Sequence, residues 1–146
     1  MLSRGGCACD AGAVHPNAEP TPVQVLIVDD QASFRHAARG VVELTPGFEV
    51  AGEVSSGEAS LEAAQAIQPD LVLMDVHMSG MDGLEASRRI RAASSHGGPI
   101  VFLLSTYEAV EFAERTLACG AAAYLPKAEF GPERLASAWA AIVGAS

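Results

Sequence analysis

Five short apolar runs, each followed by a longer stretch with helical spacing, constrain this 146-residue chain more than any other feature. The runs are Val25-Leu26-Ile27-Val28, Phe48 to Val54, Leu71-Val72-Leu73-Met74, Ile100-Val101-Phe102-Leu103-Leu104 and Ala122-Ala123-Tyr124-Leu125. An unbroken apolar run of this length suits a strand covered on both faces, as in a parallel sheet sandwiched by helices. The second run alternates in places, as a more exposed strand would, and the fifth is the weakest.

Between the runs, apolar residues recur at helical spacing. Phe34, Ala37, Ala38, Val41 and Val42 form the first stripe, which Pro46-Gly47 ends. Ala59, Leu61, Ala64 and Ile67 form the second, closed by Pro69, and Leu84, Ala86, Ile90 and Ala93 the third. A fourth helix is expected over about 110–117, stopping at Gly120. The last is expected to start near Pro132, a first-turn proline, with Leu135, Trp139, Ile142 and Val143 as its stripe. Gly57 and Gly120 read as turn glycines. Strand–helix repetition of this kind implies an α/β three-layer sandwich with right-handed crossovers. For a unit of this size the flavodoxin-like (βα)5 arrangement is expected, a parallel sheet of order 2-1-3-4-5.

Residues 1–22 stand apart. Gly5, Gly6, Gly12, Pro16, Pro20 and Pro22 break any periodicity there, so a flexible tail precedes one domain over 23–146. The net charge of -9 argues against nucleic-acid and anionic-lipid surfaces. No apolar run approaches the roughly 18–20 residues that span a bilayer, and residues 1–7 lack the apolar stretch of a secretory signal. A cytoplasmic protein is expected, and a reducing compartment suits the odd number of cysteines, Cys7, Cys9 and Cys119.

In an open α/β sheet, ligands sit beyond the C-terminal strand ends where strand order reverses. Here that point lies between the first and third strands, which are followed directly by Asp29-Asp30 and Asp75. Three carboxylates within about 4 Å repel by roughly 4 kcal/mol per pair at an effective dielectric of 20. A hard divalent cation with oxygen ligands offsets that repulsion, and Mg²⁺ is the expected cofactor. Lys127, the single lysine of the chain, follows the fifth strand and offers a compact charge to a phosphoryl group or a carboxylate. Ser105 follows the fourth strand with a hydroxyl on the same edge, and Thr106 is its immediate rival.

These segments together resemble the receiver domains of bacterial response regulators, of the type that precedes LuxR-type helix-turn-helix domains. Val25 to Asp30 looks like the family's first strand and acidic pair, and Leu73 to Gly83 like its phosphoacceptor loop. Leu103 to Thr106 matches the hydroxyl position, and Ala123-Tyr124-Leu125-Pro126-Lys127 the switch aromatic and lysine. The resemblance covers about residues 23–143. Ser79 stands where the family usually has proline, and Ala128 where many members have one; neither change removes a reacting group.

The resemblance implies that Asp75 is the nucleophile, forming an aspartyl phosphate. It implies that Asp30 binds Mg²⁺ directly, Asp29 largely through water, and that Asp75 and the backbone carbonyl of His77 complete the protein ligands. Lys127 and Ser105 would contact phosphoryl oxygens, and Ser105 with Tyr124 would carry the switch. The implied partner is a sensor histidine kinase or phosphotransfer protein, with a downstream protein or a second copy, as in a homodimer, at the switched surface. The chain would then be no enzyme beyond its own phosphorylation and dephosphorylation. A stand-alone phosphate sink or relay is the alternative within this class. A small aspartyl-phosphate phosphotransferase fits less well, because His77 stands where an Asp-x-Asp motif needs its second aspartate. A flavin or nucleotide binder lacks a Gly-rich loop after the first strand.

Overall fold

Each apolar run becomes a strand, within two residues of its expected ends. The structure is a computed structural model that describes residues 21–94, 98–106 and 118–144. Its strands are β1 (Val23–Val28), β2 (Phe48–Val54), β3 (Leu71–Asp75), β4 (Ile100–Ser105) and β5 (Ala123–Pro126). Its helices are α1 (Ala32–Leu44), α2 (Gly57–Ile67), α3 (Gly83–Ala93) and α4 (Pro132–Val143), with a short 3-10 turn at Lys127–Glu129. The helix expected over 110–117 and most of the expected tail lie outside the described residues.

The five strands form one sheet of order β2-β1-β3-β4-β5, all pairs parallel. This is the flavodoxin-like order expected from the sequence. Burial separates the strands as their composition does. β3 is buried throughout in the middle of the sheet, whereas edge strand β2 is at most half-buried and bulges opposite Val25 and Leu26.

Successive strand side chains point to opposite faces, and the core splits accordingly. Leu26, Val28, Val72, Met74, Val101 and Leu103 pack with Ala86 and Ile90 of α3. Val25, Ile27, Leu71, Leu73, Phe102 and Leu104 pack with Ala38 and Val42 of α1 and Leu135 of α4. Trp139 belongs to this second layer, meeting Phe48 edge-on at 5.9 Å and Phe102 at 6.5 Å.

Two local readings change, and a third gains detail. Gly57 is no turn glycine: it opens α2, where an added Cβ would lie 2.7 Å from the Met81 carbonyl oxygen. Ala37 is exposed, so the buried stripe of α1 is narrower than its apolar spacing. α2 ends on Gln68 in the left-handed region (φ 53°), a position that favours glycine or asparagine, with Pro69 barring continuation. Gly120, by contrast, does adopt a turn conformation at φ 85°. Among the described residues no helix is long and apolar enough to cross a membrane.

Candidate functional site

Strand register places the candidate residues along one sheet edge. Val28 pairs with Met74, so Asp29 and Asp75 emerge side by side. Asp75 pairs with Leu104 and Ser105 with Pro126, which sets Ser105 and Lys127 next along the same edge. Carboxylate oxygens of Asp29, Asp30 and Asp75 lie within 4.8 Å of one another. The three sites expected from β1 and β3 are therefore one cluster.

The members differ in burial. Asp29 is 1% exposed and Asp75 3%, while Asp30 is exposed at the rim. Asp29 Oδ1 accepts the Gln31 N–H at 2.8 Å. Its Oδ2 forms an ion pair with the Lys127 ammonium at 2.7 Å and, among the described residues, meets no other donor. Lys127 also stands 3.3 Å from Asp75 Oδ1. That oxygen accepts the His77 N–H, also at 3.3 Å. Asp30 Oδ2 accepts the Ser79 N–H at 3.4 Å, tying the β1 end to the loop after β3.

With all three aspartates ionised and Lys127 protonated, the four groups sum to a charge of -2. Oxygen donors and a net charge of -2 over these four groups are what a hard divalent cation takes. Ser105, the last residue of β4, is fully buried, whereas its rival Thr106 is exposed. Tyr124, half-buried on β5, packs against the core layer that contains Val101 and Leu103.

Burial and then the neighbouring Asp29 charge push the Asp75 carboxyl up to about 6, against the opposing pull of Lys127. An aspartate raised in the fold favours the native state when protonated and disfavours it when ionised. The metal-free protein therefore loses stability as pH rises through about 4 to 6. In chelator, Asp75→Asn is expected to be more stable than the wild type above pH 6, by on the order of 1–3 kcal/mol. The gain should vanish below pH 4, near the ordinary carboxyl value of 3.8. Urea unfolding at pH 4 and pH 7.5 checks this.

Several site neighbours carry no signal in the sequence. Arg35 reaches back to donate to the Asp29 carbonyl at 2.7 Å while its Nε stands 3.4 Å from Glu53. Glu58 accepts the Met81 N–H at 3.2 Å, holding the far side of the β3–α3 loop. Phe34, read as one residue of the α1 stripe, lies with its ring centroid 4.4 Å from the Lys127 ammonium. Spacing along a helix does not tell which core residue will face a charge on another element.

Known proteins resemble this chain over most of its length. Residues 25–140 match the response regulator receiver domain family. The chain is 37% identical over 117 residues to the nitrate/nitrite response regulator protein NarL of Escherichia coli, covering 80% of this chain and 53% of that protein. It is 41% identical over 112 residues to a protein-glutamate methylesterase/protein-glutamine glutaminase of Geobacter metallireducens, covering 75% of this chain and 31% of that one. It thus spans about half the length of the first relative and under a third of the second. A LuxR-family two-component response regulator from Aurantimonas superposes with a TM-score of 0.76 at 27% identity, over 85% of this chain and 86% of the other. Phosphorylation on aspartate is general to this family, and histidine kinases are the donors for receivers of this type. The chain belongs to the response regulator receiver domain family of two-component signalling.

Proposed function

We propose that Asp75 is the residue that accepts the phosphoryl group, from a phosphohistidine of a sensor histidine kinase or phosphotransfer protein. The observation that carries the reading is the cluster of Asp29, Asp30 and Asp75 faced by Lys127. An Asp75 carboxylate oxygen forms the new bond to phosphorus as the donor's P–N bond breaks. The electron pair leaves on the imidazole nitrogen. Little covalent help is needed; the chemistry calls for positioning and for neutralising negative charge. Lys127, next to Asp75 Oδ1, supplies one positive charge, and Ser105 supplies a hydroxyl donor at the adjacent strand end.

Mg²⁺ is the cofactor we assign, held by Asp30, Asp75 and the His77 backbone carbonyl, with Asp29 acting largely through water. Bound there, it would neutralise the carboxylates and the incoming phosphoryl oxygens. Its fit rests on the oxygen donor set and the residual charge of -2.

We read the chain as a switch and not as an enzyme acting on a separate substrate. The groove of about 590 Å³ between α2 and α3 is lined by Pro69 and Pro99, which precede β3 and β4, so it lies at the opposite sheet edge from Asp75. Output would pass from Ser105 to Tyr124: drawing Ser105 toward a phosphoryl oxygen opens space into which Tyr124 turns. Differential contacts of a few kcal/mol are enough to bias such a pre-existing equilibrium. The surface around β5 would then gain or lose a downstream protein or a second copy. A cytoplasmic workplace follows from the kinase partner.

The test is uptake of a phosphoryl group from acetyl phosphate, followed by intact mass. One group should be gained with Mg²⁺ and none in chelator. Asp30→Asn should need about tenfold more Mg²⁺ or beyond, since even outer partners of a metal are worth 10–100-fold in affinity. Labelling indifferent to Mg²⁺, or an unchanged Mg²⁺ requirement in Asp30→Asn, would remove the metal assignment.

A further inference from the structure

We propose that Phe34 is a positioning residue for Lys127, holding the ammonium over the acidic pocket against the face of its ring. The inference rests on the reading above, in which Lys127 meets the phosphoryl group.

Lys127 leaves the chain directly after β5, at the start of the 3-10 turn. A lysine stem has many rotamers, and holding its head in one place costs entropy. The side chain is nevertheless only 11% exposed. Among the described residues three groups surround its ammonium: Asp29 Oδ2 at 2.7 Å, Asp75 Oδ1 at 3.3 Å and the Phe34 ring centroid at 4.4 Å. The carboxylates attract it from the pocket side. The ring contributes the negative face of its quadrupole, well inside the roughly 6 Å at which a cation is attracted.

Phe34 also contacts the segment from which the lysine springs. Its ring lies 6.3 Å from that of Phe130 at a 42° tilt. Phe130 closes the 3-10 turn by donating its N–H to the Lys127 carbonyl at 3.2 Å. One α1 side chain thus touches both the charged head of Lys127 and the turn at its base. α1 begins just after Asp29 and Asp30, so the ring also fixes Lys127 relative to those aspartates. An aliphatic side chain there would fill similar volume and pack on Phe130 but would lack the quadrupole. Lys127 would then be freer to swing to water when a phosphoryl group alters the charge at Asp75.

Lys127 is the single lysine of the chain, so protein labelled with 13C,15N-lysine gives one lysine side-chain signal. In the wild type that signal should carry an upfield ring-current shift from Phe34. Phe34→Leu should lose the shift and take up phosphate from acetyl phosphate about three- to tenfold more slowly. Phe34→Tyr, which keeps the ring, should restore both. A lysine signal and a rate unchanged in Phe34→Leu would overturn the proposal. So would equal losses in Phe34→Leu and Phe34→Tyr, which would mark a packing role instead. Lys127→Ala labelling at the wild-type rate would overturn the underlying reading of Lys127, whatever the ring-current shift shows.

Discussion

Gly83→Ala is expected to cost on the order of 3 kcal/mol of stability and to slow phosphoryl uptake with it. Gly83 opens α3, directly after the Asp82 side chain caps the helix by accepting the Glu85 N–H at 2.9 Å. Its own N–H donates to the Val76 carbonyl at 2.9 Å, which brings helix and strand end together. A Cβ there would collide with the Asp75 carbonyl oxygen and lie 2.8 Å from its carbon and 2.9 Å from the Val76 Cα. These are backbone atoms, so no rotamer change relieves the clash. Either α3 lifts from the sheet or the β3 end carrying Asp75 moves. Gly40→Ala is the control. Among the described residues nothing lies within 4 Å of its added Cβ in the middle of α1, and alanine should stabilise that helix by about 0.5–1 kcal/mol. Urea unfolding of both variants checks the pair. A cost below about 1 kcal/mol at Gly83, no more than an ordinary surface change, would contradict the close approach.

Much of this architecture is legible in the residues because the central strands are buried on both faces. Leu71 to Met74 and Ile100 to Leu104 admit little but a sheet interior, and their ends came out within a residue. The acidic cluster is legible for the same reason: aspartates that directly follow two such runs must emerge at the same edge if the strands are neighbours. That neighbourhood itself came from the fold expected for five repeats, since periodicity carries no pairing information.

What escaped detection depends on tertiary proximity. Gly57 looked like punctuation, yet its lack of a side chain serves the approach of the Met81 backbone. Ser105 was put forward over its rival Thr106 on position and resemblance; that Ser105 is buried and Thr106 exposed could not be read there, because a strand end does not announce which hydroxyl turns inward. Glu58 and Phe34 act from α2 and α1 onto segments distant in sequence, and Arg35 joins α1 to the Asp29 carbonyl and to Glu53 of β2; no local spacing marks such contacts.

The identity of the phosphorylated residue is the point on which the account turns. Asp75 combines near-complete burial, a lysine at 3.3 Å and an adjacent second carboxylate, Asp29. Asp29 is engaged through Oδ2 by Lys127 and through Oδ1 by the Gln31 N–H, and Asp30 is exposed at the rim. An aspartyl phosphate is an acyl phosphate, stable in acid and labile in base. Asp75→Asn is expected to fold at least as well as the wild type in the absence of metal, so a failure to label would not stem from unfolding. The decisive measurement is incubation with acetyl phosphate and Mg²⁺, then peptide mapping by mass spectrometry of the wild type and Asp75→Asn. One base-labile phosphoryl group is expected on Asp75 in the wild type and none in the variant. Equal labelling of Asp75→Asn, or a phosphoryl group mapped to Asp29 or Asp30 in the wild type, would contradict it.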